Sequence, residues 1–429
     1  MIAFLLSASI LALASLVIKK SHFLSFYRIP PALVSSIPLL FLFTYFSNWK
    51  EFSFYQEWKS WPSVTISLVF SALFLEVPEK KENNISNFQP VLSQTAFVFV
   101  AILGQMAVGL LLTLLLFHPI FGLPMSFTSV LEAGFAGGHG TAVALDSSFK
   151  ANGLESGMEY SLFSATVGIL LGILGGVAIV SRKRKTQSLE ETKEILHVED
   201  EVSGFSLNSF LMGFGLISLC VLLGSQVKLN LEKSFPNFFS FPLFVYSLVI
   251  SVVFRNVLLF TNQYRYFNNS LFAFFSTFFM EFLVFSAIVT MDLQVISDAL
   301  LPLIILFTCG FVWNLFCHFY LRKKILPESY SFELSLINFG MLNGTTAIGL
   351  MLLKILDPKL QSPAVKVYAE SAPFTAPFVG GGILSLALPY LVTYQNPYVI
   401  LGLLLFGILV FIRIGIHAKD KILREMKYQ

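Results

Sequence analysis

The sequence predicts an all-α integral membrane protein, an inverted-topology repeat of two five-span halves, each with a re-entrant helical hairpin, plus one extra C-terminal span. Three observations predict it. Of 429 residues, 55% are hydrophobic and only 12% charged, with mean hydropathy +0.76, which leaves too little polar surface for a soluble globule. Apolar runs close to the ~20 residues that a helix needs to cross hydrocarbon recur along the whole chain. One pattern occurs twice, 204 residues apart: Phe135-Ala136-Gly137-Gly138-His139-Gly140-Thr141 and Phe339-Gly340-Met341-Leu342-Asn343-Gly344-Thr345, each with a Lys nine residues past its Thr (Lys150, Lys354).

In chain order, spans are predicted at 2–18, 30–47, 62–77, 92–117 and 159–181, with a broken segment at 127–149 before the last. Residues 1–181 form the first repeat and 182–204 a charged linker of mixed sign, read as solvated and cytoplasmic. Residues 205–391 form the second repeat, with spans at 206–226, 238–260, 269–291 and 299–321, a broken segment at 332–353 and a span at 368–391. Residues 392–429 hold the extra span, 396–416, and a cytoplasmic tail. Pro30 and Pro236 each open a second span, and Ser164-Ala165 recurs as Ser371-Ala372 at an offset of 207, so whole halves repeat. Ala12-Leu13-Ala14 resembles a signal cleavage site, but no basic residue precedes the first run and Lys19 and Lys20 follow it. The run is therefore read as a retained span.

Charge placement gives the expected topology. If each broken segment enters and leaves on one side, 23 of the 28 Lys and Arg residues share a face, and only Lys50, Lys59, Lys150, Lys228 and Lys233 lie opposite. The basic face is cytoplasmic, which puts the N-terminus outside and the C-terminus inside. Each repeat crosses five times, so the second copy is inverted and the two broken segments dip in from opposite sides. With basic residues at span ends rather than on one face, nothing points to nucleic acid as a partner; the partner is the lipid bilayer. Cys220, Cys309 and Cys317 fall inside predicted spans without metal spacing and read as small buried apolar groups.

The broken segments carry the chemistry. Gly137, Gly138 and Gly140 remove three side chains within four residues, freeing backbone N–H groups to turn toward a cavity; half-helix N-termini favour a bound carboxylate. Freed carbonyls at the opposite half-helix ends suit Na⁺. Thr141, Thr345 and Thr346 add hydroxyls, Asn343 an amide, and Gly344 the second copy's glycine. His139 has no second His or Cys at ligand spacing and reads as a neutral hydrogen-bonding group at the site's edge. Carboxylates within membrane segments are costly and functional by default, which makes Glu281, Glu132 and Asp146 candidates for cation coupling, with Ser371 added from the repeated Ser-Ala pair. No HExxH, GxSxG or metal cluster occurs, so neither an enzyme nor a cofactor is expected, and Na⁺ enters only as a coupling ion.

Tyr27-Arg28-Ile29-Pro30, Gly137-Gly138-His139-Gly140-Thr141, the Gly-rich run from Thr166 to Gly176 and Gly344-Thr345-Thr346-Ala347 resemble the sodium/glutamate symporters of bacterial inner membranes. The resemblance covers most of residues 20–391 and implies ten spans, two opposed re-entrant loops carrying substrate and Na⁺ sites, a homodimer, and L-glutamate or a related dicarboxylate as cargo. By position it carries substrate binding onto Gly137, Gly138, His139, Gly140, Thr141, Gly344, Thr345 and Thr346. The second copy departs from the pattern at Met341-Leu342-Asn343, and Glu281 is an additional buried acid. A sodium/proton antiporter of the same architecture, with Glu281 or Asp146 carrying the proton, is the alternative.

Overall fold

A computed structural model of the chain describes residues 2–21, 24–25, 29–76, 88–187, 206–234, 243–264, 267, 269–357, 362–378 and 380–427. In hydrocarbon a backbone must satisfy its own hydrogen bonds, and every regular element among the described residues is helical. Eight helices are long and apolar enough to span a membrane: Ile2–Lys20, Gln89–Phe121, Gly157–Arg184, Leu207–Leu231, Leu243–Phe260, Ser270–Val289, Leu300–Ile325 and Pro397–Glu425. Pro31–Tyr45, Val64–Leu75 and Ile383–Tyr394 are shorter apolar helices. The chain is a multi-pass membrane protein.

Helices pack into two units, and each unit draws on both halves of the sequence. One holds residues 1–83 and 197–292, the other residues 84–196 and 293–429.

In the first unit, Ser53–Leu75 packs on Asn269–Val289 and Leu243–Phe260 around Val69, Leu216, Cys220, Phe272 and Phe275. Trp58 is fully buried, with its indole N–H donating to the Ala3 carbonyl (3.1 Å) and its ring edge-on to Phe285. The Pro31–Tyr45 helix starts on two prolines and has no side-chain cap of its own. Glu281 supplies one from 249 residues away: its Oε2 accepts the Ala32 N–H at 2.7 Å, a carboxylate set against orphan donors at a positive helix end.

In the second unit, Gln89–Leu112 is buried among Pro397–Lys427, Ala364–Thr375 and Leu300–Phe316. Phe99 stacks on Phe411 at 4.4 Å, and Trp313 donates to the Ala101 carbonyl at 2.8 Å while its ring fills the space left by Gly104. Two long helices each contain one π-turn, Thr113–Phe117 and Cys317–Leu321, and the same offset of 204 residues separates these turns as separates the glycine motifs.

Two boundaries differ from the sequence expectation. The span expected at 368–391 is two helices, Ala364–Thr375 and Ile383–Tyr394, separated by a stretch with Pro377 and three glycines, of which Gly380 and Gly381 have φ of +61° and +93°. Apolar composition runs straight through this stretch, whereas the backbone there adopts conformations that only glycine takes without cost. The span expected at 62–77 begins earlier, at Ser53, because Pro62 lies within a helix. The Gly157–Gln187 helix runs into the predicted linker, and the rest of that linker lies outside the described residues, as do Tyr27 and Arg28, the charges Glu79 to Glu82, and Pro236.

Candidate functional site

The first glycine motif interrupts a helix in the second unit. Val130–Phe135 ends as the Gly137 N–H bonds the Glu132 carbonyl five residues back (2.9 Å), a wider turn than an α-helix makes, and Gly138 then takes φ +70°. An L side chain is strained there, so the chain can turn at this point only on glycine. Gly138–Ala144 resumes the helix, and Thr141 Oγ1 donates to the Gly137 carbonyl at 2.8 Å. Both the Val130–Phe135 and Gly138–Ala144 helices pack on Gly157–Gln187. From that helix, Thr166 Oγ1 lies 3.1 Å from His139 Nε2 and donates to the Leu162 carbonyl at 3.0 Å. A hydroxyl has one proton, so His139 Nε2 is the donor and its Nδ1 is left as an acceptor.

The second motif forms a helical hairpin. Ser331–Leu342 ends at Asn343, and Thr346–Leu356 begins after Thr345, whose extended backbone and Oγ1 accept the Ile348 N–H at 3.3 Å as a cap. The two arms pack closely because Gly340 lies against Gly349, and Gly349 against the Ile337 carbonyl, with no side chain between. Thr346 Oγ1 meets the Tyr368 hydroxyl at 2.8 Å.

Buried amides brace this turn. Asn314 Nδ2 donates to Asn343 Oδ1 at 2.9 Å and to the Leu342 carbonyl at 3.2 Å. Gln105 Nε2 donates to Asn314 Oδ1 at 3.0 Å and to the Leu342 carbonyl at 2.9 Å, while Asn343 Nδ2 returns to the Phe339 carbonyl at 2.8 Å. A carbonyl at a helix end inside an apolar layer would otherwise go unsatisfied.

These two interruptions meet. A methyl group built on Gly138 would lie 3.5 Å from the Gly344 carbonyl oxygen. Gly168, on the long helix between them, closes on the Asn343 carbonyl, 2.6 Å from where its own Cβ would stand. The Gly380–Gly382 break comes to the same place, since a methyl on Gly380 would sit 3.5 Å from the Ala136 carbonyl. Glu132 joins the two breaks: Oε1 accepts the Ser385 hydroxyl at 2.7 Å and the Gly380 N–H at 3.3 Å.

The nine substrate-binding candidates, from Gly137 through Thr141 and from Asn343 through Thr346, thus fall in one unit and around one junction, and Glu132 lies beside them. The other three cation candidates do not converge there. Asp146 pairs with Lys150 at 2.9 Å near the surface, Ser371 donates to the Tyr368 carbonyl at 2.8 Å, and Glu281 belongs to the other unit. Sequence reasoning missed Thr166, Gln105, Asn314, Tyr368, Ser385 and the triple glycine. Their signals were a polar side chain within an apolar run and, for the last, three glycines after Pro373 and Pro377. Among the described residues, no group of three or more His, Cys, Asp or Glu could hold a metal ion.

The family model described as sodium/glutamate symporter matches residues 1–348, more than half of the chain. The chain belongs to the sodium/glutamate symporter family. It is therefore a membrane transporter and not an enzyme. The family match includes the whole first motif and the second as far as Ile348, and it stops before the Gly380–Gly382 break and Ser385. No curated protein matches the chain.

Proposed function

We propose that this member of the sodium/glutamate symporter family uses a Na⁺ gradient to import L-glutamate or a related dicarboxylate by alternating access, with the two interrupted elements as its substrate site. The observation that carries the reading is the approach of Gly138 to the Gly344 carbonyl, which joins two motifs 204 residues apart within one compact unit. At such a junction side chains are missing and backbone groups are within a ligand's reach. The N–H groups opening Thr346–Leu356 sit at the positive end of a helix, and a substrate carboxylate is the ligand they suit. Thr345 and Thr346 add hydroxyls beside that end, and His139 Nδ1 offers an acceptor for the substrate's ammonium group.

The strong bias of basic residues to one face supports an inverted pair of hairpins, with the N-terminus outside and the C-terminus in the cytoplasm of a bacterial inner membrane. Opposed hairpins give each face of the bilayer its own gate onto one site, which is what alternating access requires. The homodimer implied by the resemblance is retained as part of the proposal. Glu281 caps a helix, which argues against the sodium/proton antiporter that would use it as the proton carrier.

Radiolabelled glutamate uptake into proteoliposomes tests the proposal. Accumulation driven by an inward Na⁺ gradient and abolished when choline replaces Na⁺ is expected. Equal uptake with and without the gradient, or none of glutamate, aspartate or other dicarboxylates, overturns it.

A further inference from the structure

We propose that Glu132, Ser385 and the Gly380–Gly382 break form the binding site of the coupling Na⁺, with Glu132 Oε2 and the Ala136 carbonyl among its oxygen ligands. This rests on the symport reading and assigns residues to its ion. Two of the contributing elements, Gly380–Gly382 and Ser385, lie beyond the residues that the family model matches.

Glu132 is fully buried. Its two oxygens are treated unequally. Oε1 takes two donors, the Ser385 hydroxyl and the Gly380 N–H, whereas Oε2 is buried without any hydrogen-bond partner. Two donors on one oxygen hold the carboxylate in place and favour its ionised form. A buried carboxylate with one bare oxygen is costly unless a positive charge meets it, and no Lys, Arg or His is paired with Glu132 among the described residues.

The surroundings suit a hard cation. Ser385 Oγ gives its proton to Glu132 and receives the Gly381 N–H at 3.2 Å, so the glycine break, the serine and the acid are fixed together. The Ala136 carbonyl lies 3.5 Å from the Cβ position of Gly380, so a side chain there would occupy the space that a cation needs. Positive φ at Gly380 and Gly381 lets the backbone pass that closely. Broken membrane helices supply carbonyl oxygens for Na⁺ in this manner, and a carboxylate and a hydroxyl complete an all-oxygen set. Ala136 also precedes Gly137 and Gly138, so an ion held here touches the same interruption that meets Gly344. Coupling would follow from that shared backbone.

The test is thermal unfolding of the purified full chain, titrated with NaCl or choline chloride at constant ionic strength, beside glutamate uptake by the same preparations. The wild-type Tm should rise with Na⁺ and not with choline. Ser385→Ala should fold and shift the Na⁺ midpoint about tenfold or more upward, and Glu132→Gln should lose the Na⁺ response. Either variant keeping the wild-type midpoint overturns the site, as does a wild-type Tm indifferent to Na⁺. Na⁺-driven uptake in the wild type with no change of Na⁺ midpoint in Ser385→Ala sinks the site alone. A Na⁺ response lost in Glu132→Gln without glutamate uptake in the wild type keeps the ion site and sinks the substrate reading.

Discussion

The side-chain oxygen of Asn343 accepts a 2.9 Å hydrogen bond from the amide of Asn314, and through Asn314 it is tied to Gln105 on a third element. A polar residue at the turn of the second hairpin is therefore held by partners 29 and 238 residues away in sequence. Replacing Asn314 with Leu leaves Asn343 Oδ1 without its donor and removes one of the two donors on the Leu342 carbonyl. Hydrogen bonds between membrane helices are worth about 0.6–2 kcal/mol each, so a loss of about 1–2 kcal/mol is expected. Thermal unfolding in detergent should show it as a lowered Tm, and glutamate uptake should fall more than the amount of folded protein does.

Gly138 is the position least able to accept a side chain. Its φ of +70° costs an L residue about 1–2 kcal/mol, a β-branched one more, and the methyl would point at the Gly344 carbonyl. Gly138→Val should insert into the membrane at wild-type levels and lose uptake. Transport at the wild-type rate would remove this junction from the mechanism.

Opposite access distinguishes an inverted pair of hairpins from a pair that opens on one face. Ala136 and Thr345 retain exposed surface at the two interruptions. In a background lacking Cys220, Cys309 and Cys317, Ala136→Cys should react with a membrane-impermeant thiol reagent added outside intact cells, and Thr345→Cys only in inside-out vesicles. Labelling of both from one face contradicts the inversion.

Glu281 separates symport from antiport. Its Oε2 bonds the Ala32 N–H, and Gln in its place keeps a carbonyl oxygen for that bond. Glu281→Gln should therefore transport glutamate with an unchanged Na⁺ midpoint, while Glu281→Leu leaves the start of Pro31–Tyr45 uncapped at a cost of about 1–3 kcal/mol. Proton-coupled cation exchange that disappears in Glu281→Gln is the result that would restore the antiporter.

How much of this was readable in sequence follows from the range of each interaction. Helices and the two Gly-Thr interruptions rest on local composition, since a glycine or a hydroxyl within an apolar run disturbs the helix at the residue where it stands. The break at Gly380–Gly382 is also local, yet mean apolarity across 368–391 conceals it. The double amide bond between Gln94 and Asn338, the capping of Ala32 by Glu281 and the clasp of Glu132 on Ser385 join residues 244, 249 and 253 apart. Nothing in either partner's neighbourhood announces the other. Glu132 could be named as a buried acid from its place in an apolar run, but its fixed and bare oxygens became distinguishable only with its partners known.

The paired π-turns at Thr113–Phe117 and Cys317–Leu321 have a bearing on register. Each holds one residue more than an α-helix would, and an α-helix advances about 100° per residue. Deleting a single residue inside either turn would restore regular winding and swing everything after it around the helix axis by roughly that angle. For the second turn, Arg322 would be carried away from Ser331, to which it now donates at 3.0 Å at the very start of the Ser331–Leu342 arm. The surplus residue thus sets the azimuth at which each long helix delivers the chain to its interruption.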